Sequence, residues 1–434
     1  MPLDKKAVSS LRAEFPALQE TLAGRPIVFF DGPGGTQVHG SVIEAMRRYL
    51  VERNSNAHGA FHHSRRTDET VAEARLALAD FLHARRPEEI VFGPNMTTLT
   101  FRISRAVGAT LKKGDEIVVT RLDHDANVAP WLALRERGAV VREVDFDPTD
   151  CTLNWESLEE AITRRTRLVA CGYASNAVGT TNDVRAIGEL AHAVGAWVYV
   201  DAVHYAPHGP IDVVALDCDF LVCSAYKFFG PHLGALYGRY DLLAELPASK
   251  VRPASDDPPD KFETGTPNFE GIAGAAAAVG YLASVGRRFG EESRKDFAPL
   301  AGRRADLKAG LAAIRAYERT LCRRLLTGLE RIPGLRIYGI TNPERLDGRV
   351  PTVSFTLDGL APAEVARRLD NENIFVWDGN FYAVAVTERL GLEDKGGLVR
   401  VGIAHYNTED EVDRLLAALG KMARTQETDL QRHT

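Results

Sequence analysis

Cysteine is scarce: five in 434 residues, at Cys151, Cys171, Cys218, Cys223 and Cys322, and none after Cys322. No two form a C-x-x-C pair, which argues against a zinc ribbon or a dithiol redox motif. An odd, scattered set reads as free thiols in a cytoplasmic protein rather than as a disulfide framework. Basic excess is missing too. Against 59 Asp and Glu stand 53 Lys and Arg, a formal net charge of −6, so there is no electrostatic footprint for nucleic acid. The opening Met-Pro-Leu-Asp-Lys-Lys lacks the apolar core of a signal peptide. The longest weakly apolar run, Gly271–Gly286, is mostly Ala and Gly and falls short of the ~20 residues of a membrane span. It predicts a buried or interface helix and no membrane partner. No Gly-Lys-Ser/Thr follows the glycines of Asp31-Gly-Pro-Gly-Gly-Thr, which argues against a nucleotide phosphate loop. Asn56, His58, His62 and His63 have no carboxylate or cysteine among them, and Gly59 breaks the helix that would align His58 with His62, so no metal is expected.

What the sequence does have is concentrated in Val198–Gly234. Two apolar runs, Trp197–Val200 and Phe220–Cys223, are short enough to be buried strands. Asp201 follows the first; Ser224 and Lys227 follow the second. In an α/β sheet ligands sit beyond the carboxyl ends of the strands, so an acid and an amine far apart in sequence are brought to one site. An amine there can form a Schiff base and an acid can hold a pyridinium nitrogen, the pair a pyridoxal phosphate site requires. Strand and helix alternate through residue 237, predicting a mostly parallel sheet. A chain of this length predicts a large domain plus a smaller one. The boundaries read as an N-terminal arm over 1–30 belonging to the small domain or an interface, a large cofactor domain over 31–286, a linking helix over 287–318 and a small α+β domain over 319–434. Within the linking stretch, Arg303, Arg304, Asp306, Arg315 and Glu318 read as a solvated helix face, and a new helix is expected from Tyr317. The polar tail, 425–434, is expected to fray.

Val-Asp-x-x-His at Val200–His204 and Ser-Ala-Tyr-Lys at Ser224–Lys227 resemble the class V aminotransferases, in particular their cysteine desulfurase and selenocysteine lyase branch. The resemblance extends over roughly residues 15–423. It takes in Leu122-Asp-His-Asp-Ala-Asn-Val-Ala-Pro-Trp, Ala174-Ser-Asn-Ala-Val-Gly-Thr, Phe262-Glu-Thr-Gly-Thr-Pro and Val399-Arg-Val-Gly-Ile-Ala-His-Tyr-Asn-Thr. It implies the α/β fold of fold-type-I pyridoxal phosphate enzymes. By it, Lys227 holds the cofactor and shuttles the substrate's α-proton, Asp201 keeps the ring nitrogen protonated, and His124 stacks on the ring and can move protons near neutral pH. Asn176 and His204 bound the phenolic oxygen. Met96, Thr97, Ser224 and Tyr226 hold the phosphate, Met96 by its backbone amide alone. Thr266 reaches the phosphate of the other subunit of a homodimer, and Arg400 grips the carboxylate of an amino-acid substrate.

One segment departs from the pattern. Desulfurases carry a nucleophilic cysteine in a stretch like Val-Arg-x-Gly-His-His-Cys-Ala; here it reads Val376-Trp-Asp-Gly-Asn-Phe-Tyr-Ala, with Tyr382 in the cysteine position and Trp377 in place of the arginine. The expected activity is therefore desulfurase-like without a persulfide relay. Transamination, β-elimination of a C–S bond and epimerisation stay open. A non-catalytic cofactor-binding regulator is the alternative of another class, disfavoured because no DNA-binding module precedes the domain and both Lys227 and Arg400 are kept.

Overall fold

The computed structural model describes residues 3–433, with side chains through Thr425; the tail over 425–434 lies outside those side chains but for Thr425. Seven strands form the main sheet: β1 (Ile90–Gly93), β2 (Glu116–Thr120), β3 (Val140–Val144), β4 (Thr166–Gly172), β5 (Trp197–Asp201), β6 (Phe220–Ser224) and β7 (Gly234–Gly238). Their spatial order is β1-β7-β6-β5-β4-β2-β3. Pairing is parallel throughout except at β7, antiparallel to both its neighbours. Ile117–Val119, Leu168–Cys171, Val198–Val200 and Phe220–Cys223 are buried on both sides, the continuous apolar signature of strands covered by helices on each face. The chain leaves β2 for the outer strand β3, then returns to the other side of β2 as β4. That reversal opens a crevice at the carboxyl ends of β2 and β4, where ligands of open α/β sheets bind.

A second sheet is antiparallel: β8 (Leu335–Tyr338), β9 (Thr352–Leu357), β10 (Trp377–Gly379) and β11 (Leu398–Gly402), in the order β8-β9-β11-β10. Leu3, Val8, Leu11 and Phe15 of the N-terminal arm pack in the large core, and only the end of the arm reaches this second unit. Val28–Phe29 pairs in parallel with Ile374–Phe375, and Asp31 bridges to Gly402.

The linking region differs from the sequence reading. Helix Phe269–Phe289 ends at Gly290, short turns follow, and a single helix then runs from Gly302 to Leu329 through the position where a new one was expected. Its first half packs Leu307, Leu311 and Ile314 into the large core, its second half Leu321, Leu325 and Leu329 into the small one. It lies so close to the preceding helix that a Cβ on Gly286 would sit 1.8 Å from the Asp306 carbonyl oxygen. Nor is most of its charged face solvated, although Arg315 stays partly exposed beside exposed Asp347. Asp306 accepts from Arg287 and Arg294, Arg303 and Arg304 converge on Asp80, and fully buried Glu318 accepts from or shares a proton with His208 Nδ1 at 2.8 Å. A helix spanning two domains meets partners on several sides, and its charges are spent on them rather than on water. Helix Phe269–Phe289 has 21 residues, longer than the apolar run alone indicated and apolar enough to cross a membrane. Here Ile272, Val279 and Leu282 are buried in the large core.

Candidate active site

The crevice at the switch point is organised by a residue the sequence reading passed over. Asp123 lies three positions beyond β2. One carboxylate oxygen accepts from Thr120 Oγ1 and from the Gly172 amide, both at 2.8 Å, and the other accepts from Asn127 Nδ2 at 2.8 Å. It thus ties the ends of β2 and β4 together. Gly172 permits this, since a Cβ there would lie 2.9 Å from Asp123 Oδ1. Complete burial pushes the Asp123 carboxyl up to about 7, against the pull of those donors.

Next to it, His124 accepts the Ala126 amide at Nδ1, 3.0 Å, which places the proton of the neutral ring on Nε2. Burial first, then the charges of Lys227 and Arg400, lower its pKa to about 4. With its pKa lowered in this way, His124 is a neutral N–H donor at neutral pH. The Tyr382 ring stacks on it, centroids 5.5 Å apart and planes 16° apart.

At the end of β5, Asp201 stands in register with Gly172 on one side and Val222 on the other. Its Oδ1 accepts the Val203 amide at 2.9 Å, and burial raises its pKa to about 6 while Lys227 opposes the rise. Lys227 follows β6 in the short turn Ala225–Lys227. Its Nζ donates to the Pro33 carbonyl and lies 5.0 Å from the Tyr226 ring centroid. Burial and the Arg400 charge depress the amine to about 7, with Asp201 and Asp31 working the other way. Asp31, also absent from the sequence-derived set, is raised to about 6 by burial, and its Oδ1 has no partner among the described residues.

The phosphate-side residues meet at the N-terminus of helix Met96–Gly108. Asn95 caps it by accepting the Thr98 amide, while the Met96 amide donates to Ser224 Oγ at 3.0 Å. Thr97 lies between them at the cavity wall. Asn176 Nδ2 donates to the Phe381 carbonyl at 2.8 Å and its buried Oδ1 has no partner among the described residues. His204 Nε2 contacts Thr352 Oγ1 at 2.9 Å, joining the large domain to β9. Arg400 is buried on β11. Its Nη1 donates to the Asn176 carbonyl at 2.9 Å, and its Nε has no partner among the described residues.

One cavity, with about 560 Å³ of empty space, is lined by Met96, Thr97, His124, Asn176, Asp201, His204, Ser224, Tyr226 and Lys227 together with Asp123. Arg400 reaches this set through Asn176 and through its field on Lys227 and His124. Thr266 is not part of it; it is exposed on a separate groove shared with Asn56, His58 and Arg75. The donor set fits pyridoxal phosphate. A buried amine depressed toward neutrality, a buried carboxylate, an orphaned Asn176 oxygen and a helix N-terminus converge on one space. Among the described residues there is no His, Cys, Asp and Glu cluster able to hold a metal. All five cysteines are buried, and none lines this cavity.

Comparison with known proteins agrees with this geometry. Residues 28–304 and 304–415 match the family model for aminotransferase class-V. A cysteine desulfurase of Dickeya dadantii is 31% identical over 439 residues, covering 98% of each chain. A probable cysteine desulfurase of Mycolicibacterium paratuberculosis is 34% identical over 431 residues, covering 96% of this chain; the chain spans 58% of that protein's length. The apo structure of a cysteine desulfurase from Thermococcus onnurineus NA1 superposes with a TM-score of 0.84 at 28% identity, covering 96% of this chain and 98% of that one. Taken with the Asp201 and Lys227 pair at the strand ends, these matches establish that the chain belongs to the class V aminotransferase family of pyridoxal-phosphate-dependent enzymes.

Proposed function

We propose that this protein acts on a small amino acid, breaking a bond at its α-carbon, and that it does so without a persulfide relay through its own cysteines. The observation that carries the reading is the meeting of Lys227 and Asp201 in one cavity, with Arg400 beside it and its Nε unpartnered. Bound there, pyridoxal phosphate supplies an electron sink for the charge left at the α-carbon. Asp201 would partner its ring nitrogen, and neutral His124 would lie against the ring. Asn176 and His204 would bound the phenolic oxygen, and Met96, Thr97, Ser224 and Tyr226 would hold the phosphate. Arg400 orients the amino acid by its carboxylate, and Lys227, with an amine depressed to about 7, is suited to take and return the α-proton. A screen of amino acids, following cofactor spectrum and products together, separates the open outcomes. Pyridoxamine phosphate means transamination, a keto acid with unchanged cofactor means elimination, and an inverted α-carbon means epimerisation. Turnover of none of them would refute the enzyme reading and leave a cofactor-binding regulator.

The environment of the thiols supports the absence of a relay. Burial raises every cysteine pKa, with Cys151 and Cys223 pushed up to about 12, whereas a relay needs an accessible thiolate near neutral pH. Tyr382, in the position of the desulfurase cysteine, carries a phenol and no sulfur to hold. Incubated with cysteine, the protein is expected to give no alkylation-trapped persulfide by mass spectrometry. A persulfide formed at the rate of alanine release would defeat the idea, and pyruvate with free sulfide and no alanine would favour elimination.

A homodimer is also inferred. Thr266 is exposed, and its family counterpart completes the neighbour's phosphate site. Sedimentation should give a dimer, and Thr266→Ala should weaken cofactor retention. A fully active monomer would contradict both.

A further inference from the structure

Where the desulfurase pattern has histidines and a cysteine, this chain places Asn380, Phe381 and Tyr382, and the structure gives that substitution a definite geometry. The Phe381 ring lies over the Arg400 guanidinium, its centroid 4.0 Å from Cζ. With the ring on one face and Nη1 donating to the Asn176 carbonyl, Nε is left without a partner among the described residues. A carboxylate takes a guanidinium edge-on, through two parallel N–H donors. The contacts of Phe381 therefore constrain the plane of the guanidinium without occupying the edge a carboxylate would use.

Nothing about this loop is left to float. Phe381 and Tyr382 both adopt left-handed backbone, with φ of 58° and 59°, a conformation that residues other than glycine adopt only when their surroundings impose it. The surroundings do so on every side. The Phe381 carbonyl accepts from Asn176 Nδ2 at 2.8 Å and the Tyr382 carbonyl from the Asp125 amide at 2.7 Å. Asn380 Oδ1 accepts the Tyr382 amide at 3.1 Å, and Asn380 Nδ2 donates to Glu393 at 2.8 Å. Tyr382 stacks on His124 although most of its own surface is open to solvent. The same two residues thus lock onto three groups of the site: Asn176, His124 and Arg400.

We propose that Phe381 is a positioning residue for substrate recognition. Its ring fixes the plane of Arg400 so that the Nε edge meets the α-carboxylate of an amino acid, taking a place that the desulfurase pattern gives to histidine. The inference rests on the reading of Arg400 as the carboxylate partner and goes beyond it by naming what orients it. The hydrogen bonds that hold the loop run through the Phe381 and Tyr382 backbone and the Asn380 side chain, so none of them depends on the Phe381 ring.

The test uses the cofactor-loaded protein and two probes, L-alanine and ethylamine, which differ by the carboxylate. Binding of each is followed by the cofactor absorbance. The wild type is expected to favour L-alanine. Phe381→Leu, which keeps an apolar side chain and removes the π face, should cut that preference about tenfold. Phe381→Tyr and Phe381→Trp should restore it, and Phe381→Leu should have no further effect in an Arg400→Ala background. Ethylamine binding and the cofactor spectrum should not move in any Phe381 variant, which separates positioning from a general loss of structure. If Phe381→Leu keeps the full preference while Arg400→Ala loses it, the positioning role is overturned and the function of Arg400 stands. A wild type that does not distinguish the two probes overturns both. If Phe381→Leu fails to hold cofactor, Phe381→Tyr and Phe381→Trp decide, and loss of preference in both with cofactor retained counts against the proposal.

Discussion

Lys227→Ala should reduce turnover by at least ~10³-fold, since it removes both the amine that anchors the cofactor and the base at the α-carbon. Borohydride reduction of the loaded wild-type protein, followed by peptide mapping, should place the label on Lys227. A label on another lysine, or none with cofactor added, would overturn the assignment. The pH dependence has a definite sign. The neutral amine is the reactive form, and its fraction rises as pH passes upward through the folded pKa. Burial and the Arg400 charge hold that pKa near 7 rather than at the ordinary 10.5. Cofactor capture by the apo protein should therefore accelerate between roughly pH 6 and 8 and then level off. A rate still climbing steeply above pH 9 would mean that Lys227 is not desolvated in this way.

Arg400→Ala should cost about 2–5 kcal/mol of substrate binding, because the substrate carboxylate loses its charged partner in a buried site. That corresponds to an apparent KM raised by roughly 30-fold to several thousand-fold, with cofactor retention little changed. Arg400→Lys is not expected to rescue it, since an ammonium cannot reproduce the planar fork. An unaltered KM would show that the carboxylate is held elsewhere. Burial lowers the Arg400 pKa, but a guanidinium stays charged at neutral pH, so the interaction should persist across the pH range of the Lys227 measurement.

The alternation of short apolar runs with helical stretches was enough to read the parallel sheet, because strands covered on both faces are uniformly apolar. Asp201 stands out as the polar residue next to one such run, and Lys227 as the amine four positions beyond another. Asp123 obeys the same rule at the end of β2, yet the flanking match to His124 drew attention past it. Its importance lies in bonds to Thr120, Gly172 and Asn127, of which only the first and last are neighbours in sequence. Glu318 and Asp306 were misread for a related reason. Their partners are tertiary, His208 for one and Arg287 with Arg294 for the other, and charge patterning along a helix carries no record of what packs against it. The protonation of His124 was equally illegible, since it depends on burial and on two cations brought close only by the fold. Asp31 belongs here as well: its place between Arg400 and Lys227 follows from the pairing of the arm with the second sheet.

That pairing also bears on how the chain is made. Val28–Phe29 finds its partner in Ile374–Phe375, so this strand leaves the ribosome long before the segment it will pair with. At translation rates of about 5–20 residues per second, the interval is on the order of 20–70 s, far longer than a hairpin needs to close. During that interval all seven strands of the main sheet are synthesised, and the large domain can form while Val28–Phe29 waits unpaired. Completing the arm is thus a late event of biogenesis, and because the arm carries Asp31 and Pro33 to Arg400 and Lys227, a nascent chain acquires its sheet well before it acquires a finished catalytic cavity.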